Sequence, residues 1–342
     1  MNILLNTTLV SLTLIYTFYL GFNDGANAVA STITTRTMSP RTAILLAAAS
    51  KFITPLILFF FLNNLAVSET IQKVVSVSVI ESGGSNSAYK FLLAGLLATI
   101  IWSFFTYFRR LPNSGSHTLL GGIVGSAVAA YGLGAISWNV VLFKVILMAI
   151  LAPVIALIVG FLFMRLFRKL ARSASIKING IIRNVQVFNV VLLASSFSLN
   201  NVQKSLGVLL MIISVGSIPS LTGGSFDIFI MLLVCGAMLT IGMLFGGYRI
   251  INTVGNKIFK LKPFHSVVEQ ISTGVIVYAS SFFGIPLSTS QVVASTIMGV
   301  GASERLSGVQ WLTAKKIFTS WFITFPISFI LGALLYLTIN LL

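Results

Sequence analysis

Apolar runs of about 20 residues recur from one end of this chain to the other, and that is the length a helix needs to cross the hydrocarbon core of a bilayer. Ten such segments can be laid out, at about 4–35, 41–63, 88–108, 111–133, 137–164, 185–215, 226–248, 267–284, 286–303 and 311–340. Only 8% of the 342 residues are charged and 56% are hydrophobic, whereas soluble domains carry about 25% charged residues. The pattern predicts an all-α polytopic membrane protein. The first run has no basic leader and continues directly into polar residues, so it reads as a true span and not a cleavable signal. Cys235, the single cysteine, lies in an apolar run and reads as a small packing residue.

The net charge of +16 is distributed as a topology signal, not as a nucleic-acid footprint. With the N-terminus outside, the inner connections hold Arg36, Arg41, Arg109, Arg110, six basic residues from Arg165 to Arg183, four from Arg249 to Lys262, and Arg305, Lys315 and Lys316. That is 17 of the 22 basic residues, while the outer connections hold little beyond Lys73, Lys90, Glu69, Glu81 and Asp227. Positive loops stay on the cytoplasmic side, so the expectation is a multi-pass protein of the cell (inner) membrane with both termini outside and no nucleic-acid partner.

Two stretches repeat. LPNSGSHTLLGGIVG from Leu111 and IPLSTSQVVASTIMG from Ile285 match at Pro112/Pro286, Ser114/Ser288, Ser116/Ser290, Ile123/Ile297 and Gly125/Gly299, an offset of 174 residues. At an offset of 177, FNDGANAVA from Phe22 lies against LNNVQKSLG from Leu199, pairing Asn23 with Asn200, Asp24 with Asn201 and Asn27 with Lys204. Agreement between the offsets indicates a duplication. Each half has five segments, so the second enters the membrane inverted. The expected organisation is a first inverted repeat over 1–166, a basic cytoplasmic linker over 167–184 and a second inverted repeat over 185–342, with about 10–12 membrane segments. Such repeats characterise secondary transporters, which bind substrate near the midplane on discontinuous helices. A helix over 4–35 would be about 48 Å long at about 1.5 Å per residue, so a break at Gly21-Phe22-Asn23 is expected. The Pro-x-Ser-x-Ser stretches read as helix starts, either of full spans or of re-entrant hairpins whose tips meet near the midplane.

A carboxylate deep in a span is costly and marks an ion pathway; Asp24 is the one residue that fits. Asn23, Asn27, Asn200 and Asn201 offer carbonyl oxygens to a hard cation and amide donors to an oxyanion, against a bland reading as helix-packing amides. Ser114, Ser116, Ser288, Thr289 and Ser290 are hydroxyl donors at helix N-termini, where an anion is favoured, although simple capping has the same geometry. Lys204 is either a fixed cation replacing a bound ion or a snorkelling side chain. His117 is either a proton relay or a packed hydrogen-bonding residue. Lys51 and Lys144 are expected to snorkel and His265 to be solvated. Nothing resembles a nucleophile with its base, a clustered metal site or a phosphate-cradling loop, so an enzyme is not expected.

These blocks resemble the signatures of the PiT inorganic phosphate transporters, G-x-N-D-x-A-N-A and P-x-S-T-T-[H/Q]. Here they stand as Gly21–Ala28, Pro112–His117 and Pro286–Gln291, and WLTAKKIFTSWFITFPIS from Trp311 resembles that family's last block. The resemblance implies a symporter that imports inorganic phosphate with Na+ or H+ by alternating access, without any other cofactor. It implies substrate contacts from Asp24, Asn27, Ser114, Ser116, Asn200, Ser288, Thr289 and Ser290. It implies cation contacts from Asn23, Asp24, Asn200, Asn201 and Gln291, with Na+ at Asn23 and Asp24. Assembly as a homodimer in the lipid bilayer is compatible with it. The chain departs from the pattern where Phe197-Ser198-Leu199-Asn200-Asn201 lacks the second carboxylate, and where Ser114-Gly115-Ser116-His117 lacks one hydroxyl; both bear on the number of coupling cations. A permease for sulfate or another tetrahedral oxyanion is the alternative. Phosphate near neutral pH keeps a proton that it can donate to Asp24, and sulfate does not, which favours phosphate.

Overall fold

In a bilayer every lipid-facing backbone group must pair within its own segment, which helices achieve. The computed structural model describes residues 2–62, 64–76, 84–109, 111–172, 178–216, 224–246 and 258–342. Arg110, Lys177, Arg249 and Lys257 of the expected inner connections lie outside them. The described residues are helical apart from turns and one isolated bridge, Val75–Ile136. The α-helices are α1 Asn2–Thr34, α2 Pro40–Ile57, α3 Ala66–Gln72, α4 Ser85–Phe108, α5 Gly115–Tyr131, α6 Met148–Leu170, α7 Ile178–Gly216, α8 Ser225–Phe245, α9 Pro263–Phe282, α10 Thr289–Glu304 and α11 Trp311–Leu341. π-helical turns extend α2 to Leu62 and lead into α6 from Val140.

Among the described residues, seven helices are long and apolar enough to cross a membrane: α1, α2, α4, α6, α7, α8 and α11. Three of the ten expected segments are not. α5 has 17 residues and α10 has 16, about 24–26 Å of helix against a core of about 30 Å. α9 is long enough but carries Ser266, Glu269, Gln270, Ser272 and Thr273 among its buried residues. These helices are enclosed by the others: Gly115–Ala127 of α5 and Gln291–Ala302 of α10 are buried throughout. Protein, not lipid, surrounds them, so an apolar spanning length is not required. The rest of the molecule is inside-out, with Phe61, Phe108 and Leu312 exposed and Asp24, Lys51, Lys204 and Glu269 buried.

The expected break in the first segment does not occur. α1 and α7 run unbroken through Asn23–Asp24 and Asn200–Asn201. The glycine read as a hinge is a contact point: a Cβ on Gly21 would lie 2.1 Å from the Leu239 carbonyl oxygen of α8. The polar side chains find partners sideways, on the neighbouring helix, so the backbone need not open to satisfy them.

Packing is reciprocal between the halves. α5 lies against α11, and α10 against α6; α1 lies against α8, and α7 against α2; α1 also packs on α4, and α7 on α9. α1 and α7 pack on each other, as do α2 and α8. The closest approaches fall at matching positions, where a Cβ on Gly125 would meet Phe329 O at 2.0 Å and one on Gly299 would meet Leu157 O at 2.1 Å.

Candidate functional site

The α1–α7 contact places Asp24 beside its sequence counterpart. Asn201 donates from Nδ2 to Asp24 Oδ2 at 2.8 Å, and Asn23 donates from Nδ2 to Asp24 Oδ1 at 3.2 Å. Asn201 Oδ1 in turn accepts from Lys204 Nζ at 3.0 Å, and the same ammonium donates to Leu287 O at 2.8 Å. A carboxylate and an ammonium are thus joined through one amide, all three fully or almost fully buried. Burial of one charge without the other would cost several kcal/mol. Lys204 does not snorkel; it bonds to two oxygens of the kind an alkali cation would take.

Leu287 O brings in the loop before α10. It also accepts from Ser116 Oγ of α5 at 2.8 Å, while Ser290 Oγ donates to Asn113 O at 3.1 Å. The two Pro-x-Ser-x-Ser tips therefore bond to each other beside the Asp24–Asn201–Lys204 chain. Both tips are buried, from Asn113 to Ser116 and from Leu287 to Thr289. Their serines differ. Ser114 caps α5, accepting from His117 N at 3.3 Å, whereas Ser288 occupies the N-cap position of α10 without a capping bond and lies 3.2 Å from Ser290 Oγ. Asn200 holds the second tip from behind, donating to Ser281 Oγ at 3.0 Å and Ile285 O at 3.2 Å, and its Oδ1 has no hydrogen-bond partner among the described residues.

Asn27 and Thr289 are buried. His117 and its counterpart Gln291 line one small cavity of about 30 Å³ with Pro153, Phe318 and Trp321, and His117 is within Coulombic reach of Lys204. The centre recruits residues that periodicity did not single out. Tyr16 donates to Gly115 O at 3.2 Å, Asn113 to Tyr19 Oη at 3.3 Å, and Thr17 to Ser205 Oγ at 2.8 Å. Hydroxyls of α1 within about two turns before Asp24 were the available signal.

Three expectations about charge are corrected. Lys51 does not snorkel: it is fully buried, the Asp24 charge acts on it, and its Nζ has no hydrogen-bond partner among the described residues. Helix α2 is held on α7 at that residue by Ser198 Oγ, which donates to Lys51 O at 2.8 Å, and this fixes the stem inside. Lys144 is half-buried and donates to Thr70 Oγ1 of α3, in the connection between α2 and α4, at 3.1 Å. His265 is not a solvated loop residue: it is buried in the first turn of α9, 2.8 Å from Glu304, which Arg168 also pairs at 2.8 Å. Asp24 is also not the only deep carboxylate, since Glu269 is fully buried.

A helical membrane protein whose buried charges and hydroxyls converge where two enclosed helix tips meet is built to handle a polar solute inside the bilayer. The chain belongs to the Phosphate transporter family, whose model matches residues 20–332. It is 34% identical over its whole length to the "Probable low-affinity inorganic phosphate transporter" of Bacillus subtilis, covering 99% of that protein. It is 31% identical to the protein of the same description in Rhizobium meliloti, over 97% of this chain and 96% of that one. A solved structure titled "The sodium-dependent phosphate transporter" superposes with a TM-score of 0.83, at 22% identity and 99% coverage of each chain, which shows a shared fold. The resemblance to phosphate transporters is borne out, and the protein is a transporter and not an enzyme.

Proposed function

We propose that this protein imports inorganic phosphate by cation-coupled symport through alternating access, in the cell membrane, with both termini outside. In this reading 1–166 and 185–342 are inverted repeats joined by the basic linker 167–184. Helix pairs α4–α5 and α9–α10 are hairpins entering from opposite faces. The reciprocal packing of the halves, the Asp24–Asn201 bond between counterpart residues and the shared cavity of His117 and Gln291 support it.

The Asp24–Asn201–Lys204 chain at the meeting tips is the observation that carries the function. Phosphate takes donors from the serine-bearing starts of α5 and α10, Ser114, Ser116, Ser288, Thr289 and Ser290, where the helix dipole adds positive potential. Its own proton faces Asp24, with Asn27 and Asn200 completing the contacts. Lys204 supplies a positive charge at the position where the first half has Asn27. Its ammonium takes the Asn201 oxygen that would otherwise ligate a cation, so no exchangeable ion binds on that side of the centre. Coupling then enters at Asp24, as a proton on the carboxylate or as a Na+ toward which the Asn23 amide turns its oxygen. The test is uptake of labelled phosphate by proteoliposomes, with sulfate and arsenate as competitors. Competition by arsenate but not sulfate is expected; equal competition by sulfate would point to a general oxyanion permease.

A further inference from the structure

Two buried ammonium groups feel the Asp24 charge, and they are held differently. Lys204 Nζ donates to Asn201 Oδ1 and Leu287 O. Lys51 is equally buried, yet its Nζ has no hydrogen-bond partner among the described residues. The backbone keeps it inside. Pro55, four residues on, has no N–H, so Lys51 O lacks the donor that a regular helix supplies; Ser198 Oγ of α7 donates to it instead, at 2.8 Å. Almost one turn earlier, Thr240 Oγ1 of α8 donates to Ala48 O at 3.3 Å. Helix α2 is thus pinned to both neighbours around the lysine, and the stem cannot swing to the lipid.

A buried ammonium is retained where something of opposite charge can meet it. For Lys51 that charge is Asp24, which acts on Lys51 and on Lys204 alike. Each Asp24 oxygen accepts one amide hydrogen, from Asn23 and from Asn201, and a carboxylate oxygen has room for two. The lone pairs left over are open to an ammonium, and they are the same ones that a coupling cation would take. One carboxylate facing two ammonium groups also leaves an excess positive charge, so a further cation is repelled there until an anion arrives.

We propose that Lys51 is an internal counter-ion of Asp24 that competes with the coupling cation: its ammonium meets the free side of the carboxylate when no cation is bound and gives way when one is. This rests on the reading that coupling enters at Asp24. Lys51 is then a positioning residue that acts through Asp24 and touches no phosphate. Na+ binds weakly to the protein alone, and phosphate strengthens that binding by offsetting the displaced ammonium, which is a coupling between the two ligands.

The experiment is thermal unfolding of the purified full chain across a Na+ series, with choline replacing Na+ at constant ionic strength, without and with inorganic phosphate. Without phosphate, the Na+ concentration giving half of the stabilisation should be about tenfold or more lower in Lys51→Met than in wild type, as loss of a charged competitor implies. Phosphate should shift that midpoint less in Lys51→Met than in wild type. The difference should vanish when both chains carry Asp24→Asn, because no carboxylate is left to compete for. If Lys51→Met does not fold, Lys51→Gln, which keeps most of the stem and drops the charge, should show the same fall. An unchanged or higher Na+ midpoint in the folded variant overturns the proposal, and so does a fall that persists with Asp24→Asn. Absence of phosphate uptake by wild-type proteoliposomes, with the Lys51-dependent fall intact, would count against the symport reading and leave the competition at Asp24 standing.

Discussion

Asn23–Asn27 on α1 and Asn200–Lys204 on α7 occupy matching positions and handle charge in opposite ways. The first stretch offers a carboxylate that accepts from two amides, Asn23 and Asn201. The second offers an ammonium that donates to Asn201 Oδ1 and Leu287 O. The same backbone register therefore carries a buried carboxylate in one half and a buried ammonium in the other. Under the function proposed above, the second half gives up one cation ligand set by building the positive charge into a side chain. The hairpin tips diverge too, since Ser114 is occupied as a helix cap and Ser288 is not.

The largest effect should come from removing the acceptor. Asp24→Asn is expected to reduce concentrative uptake of phosphate to background, while exchange of internal for external phosphate partly survives, as measured by counterflow in proteoliposomes. Loss of exchange and uptake together, in a folded protein, would place Asp24 in substrate binding alone.

Lys204→Gln comes next. It removes one of the two buried ammonium groups, Lys51 and Lys204, on which the Asp24 charge acts, and removing one member of a buried pair costs about 3–5 kcal/mol. Lower thermal stability is expected with weaker phosphate binding, and Asp24→Asn added to Lys204→Gln should recover part of the stability. A double variant no more stable than Lys204→Gln would show that the two charges are not coupled.

Smaller again is the contrast between serines. Ser288→Ala removes a donor with no capping role, so phosphate affinity should fall about ten- to hundredfold at unchanged stability. Ser114→Ala should also cost about 1 kcal/mol of stability through the lost cap. Equal stability losses in the two variants would erase the distinction between the tips. The smallest effect belongs to Glu304→Gln at the base of the second hairpin, where the pair with Arg168 is partly exposed; a change below about 1 kcal/mol is expected in thermal unfolding.

Much of this was legible in the sequence, because the duplicated polar blocks interrupt apolar helices and have few bland explanations. The 177-residue offset that paired Asp24 with Asn201 is the separation of two residues that hydrogen-bond in the fold. The unbroken α1 and α7 were not legible: helix length and Gly21 suggested a hinge, but a glycine that opens a helix and one that admits a neighbouring backbone look alike in one dimension. Lys51 was misread because a lysine in a span usually reaches the interface, and only its neighbours α7 and α8 reveal that it cannot. Glu269 was missed because α9 begins at Pro263, ahead of the apolar run, which puts the carboxylate well inside the helix and not at its mouth.

The central claim is that Lys204 stands in for an exchangeable cation. The most direct test measures initial phosphate uptake against Na+ concentration, at two pH values, in wild type and in the double variant Asn201→Asp/Lys204→Asn. The account predicts that the variant takes on an additional Na+, so that its Hill coefficient rises by about one over wild type and uptake becomes more dependent on Na+ at both pH values. An unchanged Hill coefficient in an active, folded double variant would contradict it, because restoring the carboxylate and removing the ammonium would then have opened no site.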